Sequence, residues 1–293
     1  MSVPHFFLML LVIVAWGVNF VALEVALQDM QPITLCFIRF FLVCFPAIFF
    51  VKWPAAPLHL ILGYALFIFI MQFSLLFLGM HAGISAGLAS LVLQFQVFFT
   101  ILFAVMFLNE KLNLWQIIGA LVAFIGIAVI GWHIDGDSSF LGFILLLCAA
   151  ACWGVGNLFA KKLGQINMVA LVVWASFLAW PPLLLLTLYF EGSDSLLLSV
   201  TSLSWTTISA ILYIVVGSTL FGYAVWGWLL SRYPITTIAP FTVLIPVVGM
   251  LSSALILGES LDTWKIAAGL LIISGFCINM WMPRWTAKKV VAK

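Results

Sequence analysis

Apolar runs of about 20 residues recur along the chain, separated by short stretches where charged residues, Pro or Gly cluster. At about 1.5 Å of rise per residue, such a run lets a helix cross the hydrocarbon core of a bilayer, about 30 Å thick. Ten are expected, at 6–24, 33–51, 60–79, 85–108, 114–132, 140–160, 168–190, 206–229, 235–257 and 264–282. They are too long for barrel strands and lack period-2 alternation, which excludes a transmembrane β-barrel. The first run has neither a basic leader nor a small-residue cleavage site, and reads as a retained span rather than a signal peptide. The expected fold class is an all-α polytopic membrane protein.

Composition narrows the function. Of the 293 residues, 66% are hydrophobic and 7% charged, against roughly 25% charged in a soluble domain. A soluble enzyme and a disordered chain are excluded. The 11 Lys+Arg stand against 9 Asp+Glu without forming a basic patch, so no nucleic-acid partner is expected. Cys36, Cys44, Cys148, Cys152 and Cys277 all fall in apolar stretches, with no disulfide framework. Cys148 and Cys152 are one helical turn apart but have no His or carboxylate nearby, so they read as buried small hydrophobes and no metal or cofactor is expected. Gly83-Ile84-Ser85-Ala86-Gly87 matches a nucleophile elbow, yet it opens a transmembrane helix rather than a strand-to-helix turn. Gly83 and Gly87 are expected there for close helix approach.

Charge placement orients the spans. With the N-terminus inside, Lys52, Lys111, Lys161, Lys162, Arg232, Arg284, Lys288, Lys289 and Lys293 are cytoplasmic, Lys265 is external and Arg39 lies within span 2. Glu24, Asp29, Asp135, Asp137, Glu191, Asp194, Glu259 and Asp262 fall outside, and only Glu110 inside. The positive-inside rule then puts both termini in the cytoplasm.

The chain also repeats itself. Ala15-Trp16-Gly17-Val18-Asn19-Phe20 matches Cys152-Trp153-Gly154-Val155-Gly156-Asn157-Leu158-Phe159, Asn109-Glu110-Lys111-Leu112 matches Gly258-Glu259-Ser260-Leu261, and Gly126 matches Gly275. Two five-span halves are expected, 1–133 and 138–293. Five is odd, so the second half enters the membrane from the other side. Such inverted repeats are the signature of alternating-access transporters, with a substrate site near midplane between the halves.

The Trp-Gly-x-Asn-Phe opening, Arg39-Phe40-Phe41 and the Glu-x-Leu endings of spans 4 and 9 resemble the EamA family of the drug/metabolite transporter superfamily over the whole chain. Phe45-Pro46-Ala47-Ile48-Phe49-Phe50-Val51, Gly87-Leu88-Ala89-Ser90-Leu91-Val92-Leu93-Gln94, Phe98-Phe99-Thr100-Ile101 and Ile245-Pro246-Val247-Val248-Gly249 resemble its cysteine and O-acetylserine exporters. The resemblance implies a ten-helix bacterial inner-membrane exporter of small amino-acid metabolites such as cysteine or O-acetylserine. A carrier of larger aromatic amino acids or drugs is a second expectation, and a receptor or assembly factor without transport a third. The partners expected are a small amino-acid-like substrate and the lipid bilayer; monomer and oligomer both stay open.

Polar groups at membrane depth are the candidate site. Arg39 suits a carboxylate bidentately, or an internal ion pair with Glu24 or helix carbonyls. Asn19 and Asn157 occupy matching places in the halves and suit either a zwitterion or interhelical bonding. Gln72, Gln94 and Gln96 are uncharged amides. On a continuous helix Gln96 points roughly 200° away from Gln94, so one of the two is expected in a cavity, preferably Gln94. Tyr223 and Trp226 share a face of span 8, and Trp16 and Trp153 are paired by the repeat, suited to packing or to substrate contact. The expected substrate-binding set is Asn19, Arg39, Gln72, Gln94, Trp153, Asn157, Tyr223 and Trp226, in a cavity lined by spans 1, 3, 4, 6, 8 and 9. Pro46, Pro181-Pro182, Pro240 and Pro246 are expected to interrupt helices, with a bent span 9 beside the pathway. Glu110 and Glu259, at span ends on opposite membrane sides, are expected to cap helices or tie loop to helix, with substrate binding as the alternative. No acid stands at mid-depth and His5, His59, His81 and His133 lie at span ends, which favours a facilitator or exchanger over a proton pump.

Overall fold

The computed structural model describes all residues but 109–112, 134–136, 165, 202, 234–237 and 292–293, and the side chains of all the others except 108, 137–139, 200, 230, 239–240 and 282–291. Nine of the described helices are long and apolar enough to cross a membrane: α1 (Val3–Asp29), α2 (Pro32–Phe49), α3 (Leu58–His81), α4 (Ala86–Phe107), α5 (Leu114–Trp132), α6 (Phe140–Leu163), α7 (Met168–Phe190), α8 (Trp205–Leu229) and α10 (Thr263–Trp281). Between the last two lies a shorter apolar segment, α9 (Phe241–Leu257). The described residues contain no strand. Polar caps mark the helix starts: Asn167 Oδ1 accepts from the amides of Val169 and Ala170 on α7, and Ser204 Oγ from Thr207 N on α8.

The spans alternate in direction. At one end of the bundle the start of α1 meets the end of α8 and the start of α9, through His5 on Tyr233 and Phe6 on Phe241. There too Trp174 Nε1, early in α7, donates to Val51 O beyond α2 at 3.1 Å. At the other end the close of α3 meets the opening of α6, Gly79 against Gly142, and His133 after α5 stacks on Trp264 of α10 at 4.9 Å. The equivalent helices α1 and α6 therefore start at opposite ends, and the halves are inverted. Lys52, Lys161, Lys162 and Arg232 gather at the N-terminal end, and Glu24, Asp29, Glu191, Asp194, Glu259 and Asp262 at the far end. Lys265 joins the acids at the far end, paired with Asp262 at 3.1 Å, and the other loop charges, Glu110 among them, lie outside the described residues or side chains.

Helix pairing obeys the same two-fold relation. α1 packs on α9 as α6 packs on α4, while α5 pairs with α10 and α2 with α7. In the register that matches Glu110 to Glu259, Phe99 corresponds to Val248, Thr100 to Gly249 and Gly119 to Ala268. A Cβ on Gly17 would meet Val248 at 2.5 Å and the amide of Gly249 at 3.1 Å; one on Gly154 would meet the backbone of Phe99 and Thr100 at 3.0 Å. The repeated Trp-Gly pair thus places two matching crossings between the halves, where only glycine lets backbones approach so closely. On the α5–α10 axis, a Cβ on Gly119 would meet Gly275 O at 2.5 Å, and one on Gly126 would meet Ala268 O at 2.9 Å.

Other expectations need correction. Pro181 and Pro182 sit inside an unbroken α7, whereas span 9 is irregular as expected, running from 3-10 (Ala239–Val243) through α (Leu244–Ser252) to π (Ser253–Leu257). Gly83 also turns the chain before α4 with φ 104°, a conformation costly for any residue with a Cβ. Gly87 does admit neighbours: a Cβ there would meet Glu259 Oε2 at 3.0 Å and Met250 Cα at 3.5 Å. Cys148 is exposed on the apolar surface rather than buried, while Cys152, Cys36 and Cys44 are buried; all five thiols are free.

Candidate functional site

A cavity of about 330 Å³ opens between the halves. All eight residues of the expected binding set line it: Asn19, Arg39, Gln72, Gln94, Trp153, Asn157, Tyr223 and Trp226. The expected spans 1, 3, 4, 6, 8 and 9 form its walls, and α2 and α7 each add one residue, Arg39 and Met168. Among the described lining residues there is no carboxylate.

Gln96 lines the cavity beside Gln94, against expectation. The 200° separation holds only for an unbroken helix, and α4 is interrupted at Gln94–Phe95, with a helix ending at Leu93 and another beginning at Gln96. The break turns both amides inward. The π-helical stretches Ala65–Gln72 in α3 and Tyr213–Phe221 in α8 reshape two further walls; such stretches recur at functional sites. In the second, Thr219 Oγ1 donates to Ile214 O at 2.8 Å, the carbonyl five residues back.

Arg39 is 2% exposed. Its Nη2 donates to Thr219 Oγ1 at 2.9 Å, and its guanidinium lies 4.1 Å from the Phe73 ring centre and 5.6 Å from that of Phe40. Nε and Nη1 have no protein partner. Among the described residues it makes no ion pair, so the expected alternative of a bridge to Glu24 is not formed; Glu24 Oε2 is itself unpartnered. Gln72 is wholly buried, and neither its amide nitrogen nor its oxygen is bonded. Asn19 Oδ1 and Gln96 Oε1 are likewise unpartnered. Buried polar groups are ordinarily satisfied, and here the unsatisfied atoms of Arg39, Gln72, Asn19 and Gln96 all belong to residues lining one cavity.

The two asparagines differ. Asn157 Nδ2 donates to Thr100 Oγ1 at 3.0 Å, and that hydroxyl donates to Gln96 O at 2.8 Å. The counterpart of Thr100 is Gly249, which has no hydroxyl to accept from the Asn19 amide nitrogen; separately, the Asn19 oxygen has no partner. Trp16, not in the expected set, joins the wall: its Nε1 donates to Ser218 O at 3.0 Å, and its ring lies 5.7 Å from Tyr223 and 5.3 Å from Trp226. Tyr64 was also missed, though its place opposite Tyr213 in the repeat register was a signal. Thr219 had none, because it touches Arg39 only across 180 positions of chain.

Three carboxylates tie the halves together at the end far from the N-terminus. Glu191 accepts from the amides of Ile33 at 2.7 Å and Thr34 at 2.8 Å. Glu259 accepts from Ala86 N at 2.9 Å and Gly87 N at 3.3 Å, the expected cap. Asp29 accepts from Ser204 Oγ at 2.7 Å and from Thr207 Oγ1. Glu191 and Glu259 thus cap helix starts of the opposite half, where anions are favoured, and Asp29 holds the hydroxyls at the start of α8.

The family model described as EamA-like transporter family matches residues 4–132 and 140–281. A probable amino-acid metabolite efflux pump of Salmonella typhimurium is 43% identical over 290 residues, covering 96% of each chain. Its Escherichia coli namesake is 41% identical over 288 residues, 95% of each. One solved crystal structure superposes with a TM-score of 0.66 at 14% identity, covering 97% of this chain and 100% of its own, a likeness of fold.

Proposed function

This chain belongs to the EamA-like transporter family, a multi-pass membrane transporter rather than an enzyme, and we propose that it exports small amino-acid metabolites of the cysteine and O-acetylserine kind across the bacterial inner membrane. The carrying observation is the cavity itself: about 330 Å³, with a buried Arg39 offering two free donors and no opposing acid. That volume is near the lower end of small-ligand sites, roughly 300–1,000 Å³. A substrate carboxylate pairs with Arg39 and the Gln72 amide; its ammonium meets the free oxygens of Asn19 and Gln96 and the faces of Trp16 and Tyr223. The names of the two relatives at 43% and 41% identity support the same class of cargo.

The two halves, 1–133 and 138–293, rock about their common axis to expose the site to either side. The cavity leans toward the N-terminal end, reaching Ala160, Met168, Trp226 and Thr242, while the three carboxylate ties close the far end. With the termini in the cytoplasm, as the basic residues at that end favour, this is the inward-facing arrangement.

Counterflow in proteoliposomes tests the reading. Vesicles loaded with unlabelled cysteine should accumulate radiolabelled cysteine and O-acetylserine, and Arg39→Ala should abolish it. Preference for tryptophan would favour the larger aromatic cargo that the Trp16–Tyr223–Trp226 wall also accommodates. A folded protein that carries no amino acid would reject the proposal.

A further inference from the structure

We propose that the Arg39 pocket is a monovalent-anion site that must be filled before the chamber can close, so that the protein works as an exchanger and not as a uniporter. This deepens the transport reading and rests on it. The guanidinium is 2% exposed, is held by the single oxygen of Thr219, and has Nε and Nη1 buried without a protein partner, beside a cavity that Arg39 helps to line and whose described lining contains no carboxylate. Gln72, wholly buried, adds an unpartnered amide to the same cavity. While the chamber is open, the high dielectric of the solvent it admits moderates the cost of the nearby charge. When the halves close over it, the water leaves, and a buried cation without a partner is strongly disfavoured. The rings of Phe40 and Phe73 cover part of its charge but cannot accept hydrogen bonds from both free nitrogens in its plane.

An anion on Arg39 removes that barrier. On the outward stroke it is the cargo's carboxylate. On the return stroke it is a small anion from the far side, either a second carboxylate or a halide. Net export then depends on what the far side supplies.

The test has two arms, both on the purified full chain. In the first, the melting midpoint in detergent is followed as chloride replaces the bulky sugar acid lactobionate at constant ionic strength. A ligand that binds only the folded state raises the midpoint, so wild type should rise and Arg39→Met should not. Arg39→Lys, which keeps the charge, should respond at higher chloride and guards against a Met variant that fails to fold. Equal responses in wild type and Arg39→Met would overturn the site.

In the second arm, vesicles loaded with radiolabelled cysteine are diluted into lactobionate, chloride or unlabelled cysteine. Release into the last two should be at least about tenfold faster than into lactobionate, given the size of the unpaired-charge penalty. Equal release into all three would overturn the exchange requirement while leaving transport intact. Chloride-dependent melting without cysteine movement would keep the anion site and reject cysteine as cargo.

Discussion

Arg39 and Thr219 meet across the centre of the molecule, Nη2 to Oγ1 at 2.9 Å, and the threonine passes the contact on to Ile214 O at 2.8 Å. One hydroxyl therefore orients the only charged side chain among the described lining residues. Thr219→Val keeps the shape and deletes the acceptor. A hydrogen bond to a charged group is worth about 1.5–3 kcal/mol, so KM for carboxylate cargo in counterflow should rise roughly tenfold or more, with the maximal rate less affected. An unchanged KM would show that Thr219 does not position the guanidinium.

Gln72 separates stability from function. Both polar atoms of its side chain are buried without partners, and such groups cost about 1–3 kcal/mol. Gln72→Leu, nearly equal in volume, should raise the melting midpoint while lowering counterflow several-fold. A variant that melts earlier would place Gln72 among the structural residues instead.

The asparagines predict opposite phenotypes from matched positions. Asn157→Ala breaks the bond to Thr100 and should destabilise by about 1 kcal/mol. Asn19→Ala removes an unpaired oxygen and should leave melting unchanged while weakening cargo binding. Melting curves and KM values measured side by side decide this, and equal losses of stability would contradict the asymmetry.

Two glycines on α10 provide a controlled comparison. A Cβ on Gly275 would drive into Gly119 O and come within 2.8 Å of Ala123 N, whereas one on Gly269 finds its nearest atom, Met250 Sδ, at 3.6 Å. Gly275→Ala should destabilise by about 3 kcal/mol, because backbone cannot yield as a side chain can. Gly269→Ala should be neutral or stabilising by up to about 1 kcal/mol. Detergent melting of the two variants reads the difference.

Much was legible before any coordinates. The bilayer allows only runs of a certain length to cross and charges the two faces unequally, so span number and the sorting of acids from bases are one-dimensional properties. Internal similarity likewise exposes an odd-membered repeat, and an odd repeat must invert. The expensive polar groups were visible too, because any Arg, Asn or Gln within a run that must sit in hydrocarbon needs a reason. All eight expected residues do meet in one cavity.

Their individual states were settled only in three dimensions. Gln96 faces inward because the α4 backbone breaks beside it, and helical periodicity assumes that no break occurs. Arg39 is served by Thr219 rather than Glu24, and Asn157 donates to the Thr100 hydroxyl whereas Gly249, standing in that place in the other half, offers Asn19 no such acceptor. Each is a matter of distances between residues far apart in the chain, which composition and spacing along one strand of sequence do not measure.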